Sequence, residues 1–93
     1  MISLKATVRN RNGIHCRPSV IIAKESQAYQ GSIWIRPDGM ENAVDPKSVL
    51  LLMGLGVRCG DSVTVTVSGP DEESMCRRIV ALLETNFEFS QEE

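Results

Sequence analysis

The sequence predicts an α+β open-faced sandwich, a four-stranded antiparallel sheet with three helices on one face, in the order β-α-β-β-α-β-α. Three observations carry this expectation. Apolar and polar residues alternate in two separate segments, the period of a strand with one buried face. A segment near the end repeats its apolar residues at helical spacing. Between these, turn and cap signals cut the chain into short elements, with no repeat, low-complexity tract or linker. One-sided strands need one covering layer, and helices this short supply one rather than two.

The elements follow in order. Ile2, Leu4, Ala6 and Val8 alternate with Ser3, Lys5 and Thr7 to make the first strand. The polar stretch from Arg9 ends in Asn12-Gly13, a turn signal. Pro18 suits the first turn of a helix, where its missing N–H costs nothing. That helix is expected to reach about Tyr29 and to stop before Gly31. Ser32 to Arg36, rich in β-branched and aromatic residues, reads as the second strand, and Pro37-Asp38-Gly39 as a turn. Met40 to Val44 is the expected returning strand. Asp45-Pro46 reads as a helix start, with Asp45 as N-cap, and Gly54 and Gly56 keep the helix short. Arg58-Cys59-Gly60-Asp61 turns into the clearest strand, where Val63, Val65 and Val67 alternate with Ser62, Thr64, Thr66 and Ser68. Asp71, Glu72 and Glu73 sit at the positive end of the last helix, whose stripe is Met75, Ile79, Leu82 and Leu83. Residues 1–86 are read as a single domain and 87–93 as an acidic C-terminal tail.

Composition narrows the function. Ten basic residues against twelve acidic ones in 93 give a formal charge of −2, which argues against a protein built to bind nucleic-acid phosphates. The four aromatic residues form no base-stacking run, and Trp34 reads as a sheet residue. The longest apolar run, Val49 to Val57, has nine residues and contains two glycines, far short of the roughly 20 a membrane helix needs. The first residues lack the basic and apolar regions of a signal peptide, so the cytoplasm is the expected compartment. Cys16, Cys59 and Cys76 are odd in number and widely spaced, which speaks against a disulfide framework or a zinc site. No metal and no cofactor is expected.

The informative stretch is Gly13-Ile14-His15-Cys16-Arg17-Pro18. His15, the only histidine, stands between a glycine turn and the start of a helix. Free N–H groups and the positive dipole end make that place an anion site. Arg17 adds a planar fork of donors that suits a phosphoryl group. Dipole and guanidinium together disfavour the imidazolium, leaving a neutral ring nitrogen able to attack phosphorus. A surface histidine without a task is the plain alternative.

This stretch resembles the active-site motif of HPr, the histidine-containing phosphocarrier of the bacterial phosphoenolpyruvate-dependent sugar phosphotransferase system. Lys47-Ser48-Val49-Leu50-Leu51-Leu52-Met53-Gly54-Leu55-Gly56-Val57 resembles that family's regulatory-serine helix. The resemblance covers roughly Met1 to Leu83, with the family's order of elements. It implies that His15 accepts a phosphoryl group on Nδ1, that Arg17 pairs with it, and that the backbone amides of Cys16 and Arg17 cradle it. Ser48 would be the site of regulatory phosphorylation, and Leu50, Leu51 and Met53 a docking surface. The implied partners are enzyme I, sugar-specific enzyme II A components and an HPr serine kinase/phosphorylase, with the carrier itself a monomer rather than an enzyme.

Two features depart from or extend the pattern. Cys16 stands where the family has alanine or threonine. A thiol at a helix N-terminus can be activated, although a small side chain in a small slot is the simpler reading. Leu50, Leu51 and Leu52 cannot all face the core from one short helix, so at least one should be exposed. The chain has no nucleotide-binding motif, so larger partners must supply both the phosphoryl group and the positioning. A regulatory phosphorelay, or a Ser48-phosphorylated binding module controlling carbon or nitrogen metabolism without sugar transport, is the alternative.

Overall fold

In a computed structural model that describes residues 1–9 and 16–85 (the backbone alone at 16 and 17), the chain runs β1 (Ile2–Thr7), α1 (Cys16–Ala28), β2 (Ser32–Pro37), α2 (Val49–Met53), β3 (Ser62–Ser68) and α3 (Glu72–Leu83). The segment 10–15 and the tail from 86 onward lie outside the described residues. The strand with the clearest alternation, β3, takes the centre of an antiparallel sheet in the order β1-β3-β2. Val65 faces Leu4 on one side and Ile35 on the other, so the apolar rows of all three strands fall on one face.

That face is the core. Ala6, Ile33, Ile35, Val63, Val65 and Val67 are buried with Ile22 of α1, Leu52 of α2 and Ile79 and Leu83 of α3 in one cluster. Helix α3 lies against β1 and β3, and α1 packs on α3 and α2. The opposite face keeps Ser3, Lys5, Trp34 and Arg36 toward solvent, with Trp34 46% exposed. Among the described residues the sandwich is therefore open on one side, and Trp34 is a sheet residue.

Two expectations need correction. Met40 to Val44 does not return as a strand: Val44 alone pairs with Ile35, through two hydrogen bonds of 2.9 Å. Met40 is spent on the turn, its N–H going to the Pro37 carbonyl at 3.1 Å while its own carbonyl accepts from Arg36 at 3.1 Å. Glu41 and Asn42 pair poorly in sheets, and Pro46 has no N–H to continue a ladder. Among the described residues the sheet has three strands, not four. Asp45 does not cap α2 either; its Oδ1 accepts from the Lys47 N–H at 2.9 Å, a local turn, and the helix begins after Ser48. Cys76 is wholly buried in the core, its thiol against the Val65 carbonyl at 3.5 Å, and burial raises its pKa.

The two ends of the sheet are secured differently. Gly31 and Gly69 cross so closely that a Cβ on Gly31 would overlap the Ser68 carbonyl and approach the Tyr29 ring at 2.6 Å. On the free side of β1, alternate amides point away from β3. The Thr7 N–H donates to the Glu84 carboxylate at 3.0 Å and the Arg9 N–H to the Leu83 carbonyl at 3.3 Å, so the end of α3 covers that stretch.

Glu72 ties the start of α3 to the start of β1. Its carboxylate accepts from the Met1 ammonium at 2.7 Å and from the Gly69 N–H at 3.2 Å, and these bonds hold its pKa below the ordinary carboxylate value, against some desolvation. A carboxyl depressed in the folded state adds stability above its unfolded pKa and loses it as pH falls through the folded value. Glu72→Gln should therefore melt below the parent at neutral pH, with the gap closing below about pH 4. Thermal melts across that range check the sign; the pair is largely exposed, so the gap should be small and shrink with salt.

Candidate functional site

Two segments carry the candidate site residues, and the fold brings their helices together through the α1–α2 contact. Helix α1 begins at Cys16, so Cys16 and Arg17 lie in its first turn, where N–H groups have no partner within the helix. Pro18, the third residue, is buried and asks for no acceptor, and Ser19 is buried behind it. That first turn carries no acidic side chain, whereas the first turn of α3 holds Glu72 and Glu73. The dipole of α3 is thus met by its own carboxylates, whereas the first turn of α1 holds none of its own. His15 precedes Cys16 in the chain and lies outside the described residues, as do the side chains of Cys16 and Arg17.

The second segment is fully described. Pro46 is buried and anchors the approach to α2. Ser48 is the N-cap, extended at φ −102° and ψ 117°, and its Oγ accepts from the Leu51 N–H at 3.3 Å. The helix that follows has one buried side chain, Leu52. Leu50, Leu51 and Met53 are 81%, 48% and 43% exposed, so two of the three consecutive leucines face solvent. An apolar surface on one turn of helix is what a partner with a matching patch would use.

Sequence reasoning left one residue here without a task, Gln27. Val20, Lys24 and Gln27 stand at i, i+4 and i+7 and share one face of α1. Val20 is an exposed apolar residue on that face. Gln27 reaches from it to the Lys47 carbonyl, with Nε2 donating at 2.9 Å. The helical register of Val20 with two polar residues was the readable signal; the contact of Gln27 with Lys47, twenty residues away, had none.

Comparison with known proteins follows the same lines. The chain matches the family model PTS-HPr, described as "PTS HPr component phosphorylation site", over residues 2–85. It is 36% identical over 87 residues to the phosphocarrier protein HPr of Mycoplasma genitalium, covering 92% of this chain and 97% of that protein. It is 29% identical over 84 residues to the HPr-like protein Crh of Bacillus subtilis, covering 90% and 94%. The crystal structure of HPr-C-His from Thermoanaerobacter tengcongensis aligns with a TM-score of 0.82 at 30% identity, over 95% of this chain and 97% of that one.

Proposed function

The chain belongs to the PTS-HPr family, and from that premise we propose that it carries a phosphoryl group on His15 between phospho-enzyme I and sugar-specific enzyme II A components. The observation that supports this most is the family match across residues 2–85, with the Gly13–Pro18 motif leading into a helix whose first turn carries no acid. In this reading the neutral Nδ1 of His15 attacks phosphorus, and the bond from phosphorus to the donor breaks as the bond to Nδ1 forms. The amides of Cys16 and Arg17 and the Arg17 guanidinium take up the charge of the transferred group. The acceptor then attacks phosphorus in turn, and His15 leaves as the neutral ring. The chain supplies a carrier, not a catalyst; enzyme I and the A component position the reaction, in the cytoplasm. Among the described residues no helix is long and apolar enough to cross a membrane.

Incubation with phosphoenolpyruvate and enzyme I tests the reading. It should give an acid-labile, alkali-stable label that disappears when a sugar-specific A component is added. A label that forms but passes to no A component would favour the second reading, a regulatory phosphorelay or binding module, which the similarity to Crh, described with its crystal structure as a catabolite repression containing protein, supports. The presence of His15 favours the carrier.

Ser48 is proposed as the brake, modified by an HPr serine kinase/phosphorylase. Its role as cap and its role as brake are compatible, because a side-chain oxygen remains at the helix start after modification. A phosphoryl group there carries about −1.5 to −2 charge and meets the positive end of α2, beside Leu50, Leu51 and Met53. Apolar docking next to a dianion is costly. Ser48→Asp, which preserves a good N-cap, should melt like the parent and bind enzyme I more weakly. Titration against enzyme I alongside thermal melting checks this; unchanged affinity with lowered stability would leave Ser48 a cap alone.

A further inference from the structure

Lys47, the residue before Ser48, is held at three points. Its N–H donates to Asp45 Oδ1 at 2.9 Å, its ammonium to the Gly31 carbonyl at 3.4 Å, and its carbonyl accepts from Gln27 Nε2 at 2.9 Å. The Asp45 bond is local to the turn, and the Gly31 bond acts through a long side chain. The peptide group that joins Lys47 to Ser48 is held within the turn by the Ser48 N–H, which donates to the Asp45 carbonyl at 3.3 Å, and only the Gln27 bond ties it directly to another helix. Ser48 needs that peptide oriented: its Oγ is a cap only while the backbone stays extended at φ −102° and ψ 117°. A five-residue helix cannot enforce this itself, since so short a helix is unstable alone.

We infer that Gln27 is a positioning residue for Ser48: its side-chain amide, reaching from α1 to the Lys47 carbonyl, holds the Ser48 hydroxyl in register with the first turn of α2. The consequence for regulation rests on the reading of Ser48 given above. A kinase would meet a serine already held in one rotamer and one backbone conformation, and the tie comes from the helix that begins at Cys16. The two candidate segments are thereby joined by a polar bond as well as by packing.

Gln27→Met keeps the length of the side chain and removes the donor, and Gln27→Lys restores a donor of sufficient reach. Amide hydrogen exchange at Leu51, the N–H that donates to Ser48, reads the cap; exchange at Val65, in the central strand, reads global opening. In Gln27→Met, Leu51 should exchange about 2- to 10-fold faster, the effect of one ordinary hydrogen bond, with Val65 unchanged. Gln27→Lys should return Leu51 toward the parent rate. Unchanged exchange at Leu51 in Gln27→Met would overturn the inference, as would a parallel rise at Leu51 and Val65, which would make Gln27 a general stabiliser. This arm involves no kinase, so it decides the role of Gln27 whatever becomes of the regulatory reading. Incubating the parent protein with an HPr serine kinase and ATP tests that reading separately.

Discussion

His15→Ala should take up no acid-labile label from phosphoenolpyruvate and enzyme I, while melting close to the parent. The loss should be complete rather than partial, because His15 is the only imidazole in the chain. The one other nucleophile in the Gly13–Pro18 motif is the Cys16 thiol, which label retained in this variant would implicate; a phosphorylated serine would survive acid. The amides of Cys16 and Arg17 would still be available to bind an anion, but binding without an acceptor nitrogen transfers nothing. Labelling followed by acid and alkali treatment measures it. Persistent acid-labile label in the variant would remove His15 from the pathway.

Leu52→Ala should produce the largest loss of stability, about 2–5 kcal/mol, or roughly 10–25 °C in melting temperature for a domain of this size. Leu52 is fully buried and is the one buried side chain of α2, so truncation leaves both a cavity and an unanchored helix. Transfer should suffer as well, because Leu50, Leu51 and Met53 are displayed only while that helix is seated. Leu50→Ala is the contrast. At 81% exposure it should leave melting unchanged and weaken enzyme I binding alone. Thermal melting and binding of both variants separate anchor from display; equal melting of Leu52→Ala and parent would refute the anchoring role.

Much of this architecture was legible because it rests on short-range periodicity. Alternation at Ile2 to Val8 and Val63 to Val67 gave strands and their buried faces, and the stripe through Ile79, Leu82 and Leu83 gave a helix and its inner side. Errors arose where a local signal competed with a tertiary one. Asp45-Pro46 has the chemistry of a helix start, yet Pro46 is drawn into the core and the Asp45 carboxylate closes on Lys47, which moves the start to Ser48. The segment Met40 to Val44 looked like a strand because Pro37-Asp38-Gly39 promised a hairpin. Once Met40 had been used in the turn, only Val44 remained with the right neighbour. Of the candidate site, the start of α1 at Cys16 and the exposed leucines of α2 agree with the motifs, while His15 and the side chains of Cys16 and Arg17 lie outside the described residues. Gln27 was not legible, because its partner is set by how α1 and α2 pack and by nothing in its own neighbourhood.

The covered margin of β1 bears on how this molecule behaves in a crowd. A sheet ending in free peptide groups is a template on which a second chain can lay its own strand. Here the template is cut short: Thr7 and Arg9 are satisfied by Glu84 and Leu83. By alternation only Ser3 and Lys5 keep outward amides, and Lys5 adds a charge that any added strand would have to accommodate. Two amides are too few to hold a foreign strand in register. The last turn of α3 therefore packs against this margin of the sheet and also limits strand addition along it.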